Sequence, residues 1–186
     1  MNSSAKFVIL FLLLFSFLFG FAGHHILFPP RAPVDLAENQ AVPLNDREYF
    51  REVKNLIDSA NHSIHVIIFD INYYPDYPES PSNSLLLSLS EAASRGIDVR
   101  IITDERPTDK PVVTMLKEKG VNIKFDSKDV TSHAKLIIID SKIVIIGSTN
   151  WSYHSLEKNH EANVLIRSPS LAGEFENYFE TVWAES

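Results

Sequence analysis

The sequence predicts an α/β sandwich on a mixed β-sheet, preceded by an N-terminal hydrophobic helix. Three observations carry that reading. β-Branched runs at residues 63–72, 97–104 and 121–125 alternate with segments of 3–4 apolar spacing, the pattern of strands joined by helices. Two further apolar runs, 135–139 and 143–146, are separated only by Asp140, Ser141 and Lys142, which suits an antiparallel hairpin and makes the sheet mixed. Residues 7–22, FVILFLLLFSFLFGFA, carry no charge and are apolar on every face, unlike a helix that covers a core on one side.

Taken in order, residues 1–28 read as a signal peptide or a membrane anchor. Sixteen uncharged positions after Lys6 fit a signal-peptide core, and Gly20 and Ala22 offer small side chains at a cleavage point. Apolar character resumes at Ile26, Leu27 and Phe28, so an uncleaved segment 7–28 is long enough to span a bilayer. The expected location is therefore membrane-anchored, or exported after cleavage. Residues 29–44, rich in Pro and Ala, read as a linker, and the domain is expected over 45–186.

Within that domain, Asn45 or Asp46 caps a helix whose apolar positions are Tyr49, Phe50, Val53 and Ile57. Residues 63–72 form a buried strand. Residues 73–82, with three prolines and three tyrosines, form a loop. A helix over 85–95 stops at Gly96, and strand 97–104 follows. A second helix, 110–119, closes at Gly120 and leads into strand 121–125. The hairpin comes next, then a strand over 161–166 and a final amphipathic helix over 168–184. No internal repeat is visible.

Composition excludes several chemistries. The chain has 186 residues and no cysteine, so it has no disulfide framework, thiolate metal site or cysteine nucleophile. Beyond residue 30 there are 16 Lys+Arg against 24 Asp+Glu, which disfavours a broad electrostatic grip on nucleic acid. A local set, Lys124, Lys128, Lys135, Lys142, Lys158 and Arg167, is still available to line a basic groove.

The chemistry concentrates in SHAKLIIIDSKIVIIGSTNWS, residues 132–152. His133 and Lys135 are two apart, so on a strand they leave the same face. Gly147, Ser148 and Asn150 return at the end of the next strand. An imidazole, an ammonium, a hydroxyl and an amide make a poor divalent-metal site and a good cradle for an oxygen-rich anion. No metal and no cofactor is expected.

The pattern H-x-K-x4-D-x6-G-S-x-N is filled by His133, Lys135, Asp140, Gly147, Ser148 and Asn150, and in it the chain resembles the phospholipase D superfamily. The similarity runs over residues 63–183, through Arg95–Gly96–Ile97–Asp98–Val99 to Glu161, and is greatest to the small single-motif branch of endonucleases and mitochondrial cardiolipin hydrolases. The resemblance implies a phospholipase D-like α/β/α sandwich and metal-free, two-step phosphodiester hydrolysis. His133 is the implied nucleophile, forming a phosphohistidine. Lys135, Ser148 and Asn150 are implied to hold the phosphate, Glu161 to orient His133, and Asp140 either to catalyse or to cap the hairpin turn.

In-line displacement needs a second imidazole on the far side of phosphorus as general acid. One motif supplies one imidazole, so a homodimer with its active site on the two-fold axis is expected. An acid from the same chain, from His62, His65, His154 or His160, is the alternative, with His160 the first suspect beside Glu161. Three substrate readings stay open: an endonuclease acting on DNA or RNA, a hydrolase of membrane phospholipids, and a catalytically idle phosphate-binding protein.

Overall fold

A computed structural model describes Leu36 and residues 40–186 apart from 109 and 128; the hydrophobic segment and most of the expected linker lie outside the described residues. Seven strands form one sheet: β1 (Ala41–Asn45), β2 (Ser63–Ile68), β3 (Asp98–Thr103), β4 (Asn122–Phe125), β5 (Lys135–Ile139), β6 (Ile143–Gly147) and β7 (Ala162–Arg167). Their order is β1-β7-β6-β5-β2-β3-β4. β2, β3 and β4 run parallel, and every other pairing is antiparallel, so the sheet is mixed as expected. Among the described residues four α-helices accompany it: α1 (Arg47–Ser59), α2 (Pro81–Ser94), α3 (Lys110–Glu118) and α4 (Pro169–Glu185).

Side-chain alternation builds the layers. On the central strands Ile64, Val66, Ile68, Ile101, Ile137, Ile139 and Ile145 join one buried cluster with Val53 and Ile57 of α1, Leu85 and Leu89 of α2, and Val112 and Leu116 of α3. The intervening Ile67, Ile102, Leu136, Ile138 and Val144 face the other way, onto Ala172 and Phe179 of α4. Strands covered on both faces must be apolar at every position, which is why β5 reads KLIII and each of its residues is buried.

Two boundaries moved. β1 occupies residues read as the end of the linker, pairing Ala41 with Ile166 and Asn45 with Ala162. Its signal is weak because it is an outer strand with Leu44 as its one buried residue, and Pro43 is tolerated at a sheet edge. α2 starts at Pro81, inside the expected loop, because Ser80 caps it by accepting from the backbone N–H of Asn83 (3.2 Å). Asp46 does precede α1 but makes no capping bond; its carboxylate accepts from the backbone N–H of Glu161 (2.8 Å).

His65 ties α4 to the sheet. It is 6% exposed, stacks on Phe179 (4.7 Å between ring centres, 9° between planes) and faces Glu176 through Nδ1 (2.6 Å) and Asp98 through Nε2 (3.4 Å). Burial works against its charged form, but the hydrogen bond and charge of Glu176 and the bond to Asp98 outweigh it, raising the pKa above the ordinary value. The stabilisation is therefore complete below about pH 6.5, the unfolded-state value, and is lost as pH rises through the higher folded-state value. The wild-type urea midpoint should fall more steeply above about pH 6.5 than that of His65→Gln. Parallel curves for the two proteins would show that His65 is not charged in the fold.

Candidate active site

The first turn of chemistry is set by where strands end. Lys135 opens β5 and lies beside Ile68 at the end of β2, which lies beside Thr103 at the end of β3. Gly147 closes β6 opposite Asn163, near the start of β7. His133, Lys135, Ser148, Asn150 and Glu161 are thereby gathered at one edge of the sheet, as the spacing of the motif requires.

Lys135 is 8% exposed, an unusual position for an ammonium. Its Nζ donates to the carbonyl of His133 (2.8 Å), lies 3.4 Å from His133 Nδ1, and sits 5.0 Å from the ring centre of Phe69. Burial pulls its pKa below the ordinary value, while the charges of Glu161 and Asp70 pull the other way. The His133 ring is exposed and tilts against Phe69 at 4.7 Å, and its Nε2 has no partner among the described residues. Asn150 adds an amide oxygen that is shielded from solvent and makes no hydrogen bond among the described residues. The arrangement offers an exposed ring nitrogen and a fixed cation at one open edge, with the unpartnered amide oxygen of Asn150 buried at the same edge.

Three expected roles change. Asp140 is not at this edge. It follows Ile139, the last residue of β5, five residues from Lys135 or about 17 Å along a strand, and its carboxylate accepts from the backbone N–H groups of Asn61, His62 and Ser63 (2.7–3.2 Å). Burial would raise its pKa, but those three donors hold it below the usual carboxylate range. These contacts are the ones the hairpin-capping role calls for, one of the two roles expected for Asp140. Glu161 does not contact His133; it accepts from the hydroxyl of Ser148 and from Asn159 Nδ2 (3.1 Å). The single hydroxyl hydrogen of Ser148 is thus committed to Glu161, and its oxygen accepts from the backbone N–H of Ala162 (3.2 Å), so it has no donor left for a phosphate.

The in-chain candidates for a second imidazole do not meet His133 either. His160 is almost wholly exposed and is bonded through Nδ1 to Asp46 (3.1 Å). His65 is buried against α4, the backbone N–H of His62 serves Asp140 beyond the far end of the sheet, and His154 stands edge-on to Tyr153. Among the described residues the expected basic groove does not form as a set, and Lys128 lies outside them. Lys142 and Arg167 are at the edge opposite Lys135, and Lys124 donates to the carbonyl of Trp183 (2.7 Å).

Several supporting residues carried no sequence signal strong enough to find them. Phe69 and Asp70 follow β2 and read as a continuation of its apolar run. Asn163 was legible only as a polar residue in an apolar strand; its Nδ2 donates to Leu44 O (3.1 Å) and Thr149 Oγ1 (2.8 Å), pinning the turn that carries Asn150. Gly147 is required there, since a Cβ would meet Ala162 O at 2.5 Å and Asn163 Cα at 2.6 Å, and would overlap Asn163 Oδ1 more closely still. Trp151, fully buried, continues that turn and donates through Nε1 to Tyr49 Oη (3.2 Å). Among the described residues no group of three or more His, Cys, Asp or Glu side chains is disposed to hold a metal ion.

Removing the Asp140 carboxylate tests its relocation from chemistry to architecture. Asp140→Ala should cost about 0.5–1.5 kcal/mol of stability, the net range for hydrogen bonds whose donors can turn to water, as the exposed N–H groups of Asn61 and His62 can. Turnover per folded molecule should stay within a factor of two or so of wild type. A loss of activity beyond a hundredfold at full folding would return Asp140 to the catalytic set.

Comparison with known proteins agrees with the fold. The chain is 29% identical over 93 residues to mitochondrial cardiolipin hydrolase of Mus musculus, a match that covers 49% of this chain and 42% of that protein. It is 32% identical over 108 residues to cardiolipin synthase 1 of Staphylococcus epidermidis, covering 54% of this chain and 22% of the other. The structure superposes on the phospholipase D family member Nuc from Salmonella typhimurium with a TM-score of 0.66 and 27% identity, covering 78% of this chain and 95% of that one. Residues 53–183 match the domain family described as cardiolipin synthase, PLD-like domain. With that match over most of its length, the chain belongs to the phospholipase D-like family.

Proposed function

We propose that this protein is a metal-independent phosphodiesterase that cleaves DNA or RNA internally through a phosphohistidine at His133, working as a homodimer. The observation that carries the reading is the free Nε2 of His133, exposed beside the buried ammonium of Lys135. Attack through Nε2 requires the ring proton on Nδ1, so Lys135 must swing its third N–H from the ring to the incoming phosphate. Lys135 and Asn150 then hold the nonbridging oxygens, and the charge of Glu161 favours the protonated state of Lys135.

The nitrogen–phosphorus bond forms as the bond to the leaving alcohol breaks, and a second imidazole protonates that alcohol. The same imidazole next takes a proton from water, whose oxygen displaces His133 from phosphorus. No other described imidazole of the chain lies against His133, which supports a second protomer as the source of the acid. The resemblance of its single motif to that of the small endonucleases supports the nucleic-acid reading.

Phospholipid hydrolysis is the second reading, favoured by the names of the cardiolipin-acting relatives and by the apolar residues 7–22. Under it the protein would be anchored at a membrane by that segment. Among the described residues no helix is long and apolar enough to cross a membrane.

The deciding experiment incubates the full chain with single-stranded DNA, RNA or anionic lipid vesicles in excess chelator. Internal cleavage of the polynucleotides is expected. Product from vesicles alone would replace the first reading with the second, and dependence on added Mg²⁺ or Zn²⁺ would remove the mechanism. His133→Asn should abolish turnover with an unchanged melting temperature. After subunit exchange, an equal mixture of wild type and His133→Asn should fall well below half of wild-type activity, whereas activity proportional to the wild-type fraction would mean each chain works alone.

A further inference from the structure

A guanidinium stands close to His133 and takes no part in the steps above. Arg106 lies in the segment between β3 and α3, three residues beyond Thr103, whose strand position is two strands from Lys135, about 10 Å at ordinary strand spacing. Its Nε donates to Asp104 Oδ1 (2.9 Å), its Nη2 to Asp104 Oδ2 (2.7 Å), and its backbone N–H also to Oδ1 (2.9 Å). Nη2 donates in addition to the hydroxyl of Thr131, two residues before His133. The Cα atoms of Thr131 and His133 can be no more than about 7 Å apart, so the fork is tied to the short segment that carries the nucleophile.

The two partners of this pair are buried to very different degrees. The Asp104 side chain is 6% exposed and that of Arg106 is 63% exposed. The Arg106 hydrogen bond is the main cause that holds the Asp104 carboxyl below its usual range, so it remains an anion, and its attraction also extends to His133. Of the five guanidinium donors three are used, and both N–H groups of Nη1 have no partner among the described residues. A bidentate carboxylate fixes the long side chain in one rotamer, so its ordering cost is met before any ligand arrives. What is left open is a pre-oriented pair of donors on a permanent cation, the arrangement that suits a phosphate. Asp104 neutralises much of its charge, so the contact gains chiefly from hydrogen bonds rather than from long-range attraction.

Building on the phosphodiesterase reading, we propose that Arg106 binds the phosphate next to the scissile one in a nucleic-acid strand. The separation from His133 is of the order of one nucleotide step, and a strand laid across the edge would present its next phosphate there. Arg106 then sets a minimum substrate: a strand with two consecutive phosphodiesters is bound better than one with a single phosphodiester. It also gives an acidic domain one phosphate contact that needs no basic groove.

The test compares substrates that differ by one phosphate, bis(4-nitrophenyl) phosphate and thymidine dinucleotide on one side and thymidine trinucleotide on the other. For the full-length Arg106→Gln variant, the ratio of kcat/KM on the trinucleotide to kcat/KM on either single-phosphodiester substrate should fall at least tenfold, mainly through KM. Arg106→Lys keeps a cation beside Asp104 but has no second pair of fixed donors. It should show the same fall in the ratio while its melting temperature stays within two degrees or so of wild type, which separates phosphate binding from loop stapling. A ratio within twofold of wild type, an equal loss on all three substrates, or a loss seen only on two-phosphate lipid vesicles would each overturn the assignment. Wild-type protein that fails to hydrolyse bis(4-nitrophenyl) phosphate at all would instead remove the phosphodiesterase reading on which it rests.

Discussion

A buried ammonium governs this molecule. Lys135 opens a strand whose remaining residues are Leu and Ile packed on both faces, and a charge at that position is costly unless it is paired. Its surroundings answer that demand: the carbonyl of His133 accepts from it, the Phe69 ring lies under it, and the charges of Glu161 and Asp70 offset its desolvation. Glu161 is in turn fixed by Ser148 and Asn159, and its backbone N–H is held by Asp46. Contacts from five separate segments between the helices and strands, at residues 46, 69–70, 133, 148 and 159–161, lead to one cation. Because the Lys135–His133 bond runs to the backbone, it also fixes the residue that carries the reactive imidazole.

Much of this was legible in the sequence, for identifiable reasons. Residues 135–139 and 143–147 are apolar at consecutive positions, which specifies strands with two covered faces, and the three residues between them leave little choice but a hairpin. Spacing alone placed His133, Lys135 and Asn150 at a common edge, since alternation and strand length are fixed by backbone geometry. Side-chain roles were harder to read. Asp140 lies in the motif but serves the backbone N–H groups of residues 61–63, nearly eighty positions away, and no local pattern encodes such a partner. Glu161 lies at the motif edge, but its contacts run to Ser148 and Asn159, because which atom a carboxylate meets depends on sub-ångström placement of neighbouring turns. β1 escaped notice because outer strands need few apolar residues.

The acidity of the domain takes on a different meaning at the site. Basic side chains counted along the chain scatter to both ends of the sheet, with Lys142 and Arg167 opposite the motif. The cations close to His133, Lys135 and Arg106, each have a carboxylate as partner or near neighbour. Short-range donors rather than a long-range field therefore define how an anion is held, and specificity rests on geometry more than on net charge.

β1 enters the sheet with Ala41 beside Ile166 and leaves it with Asn45 beside Ala162, so the polypeptide arrives at the edge opposite His133 and only then runs toward it. The outermost strand is therefore anchored far from the reactive end and finishes beside it, at Asp46, whose carboxylate holds the backbone N–H of Glu161. A disturbance of the β1–β7 pairing would be felt there, at a carboxylate whose charge acts on Lys135. The border of the sheet is in this way also a support of its reactive edge.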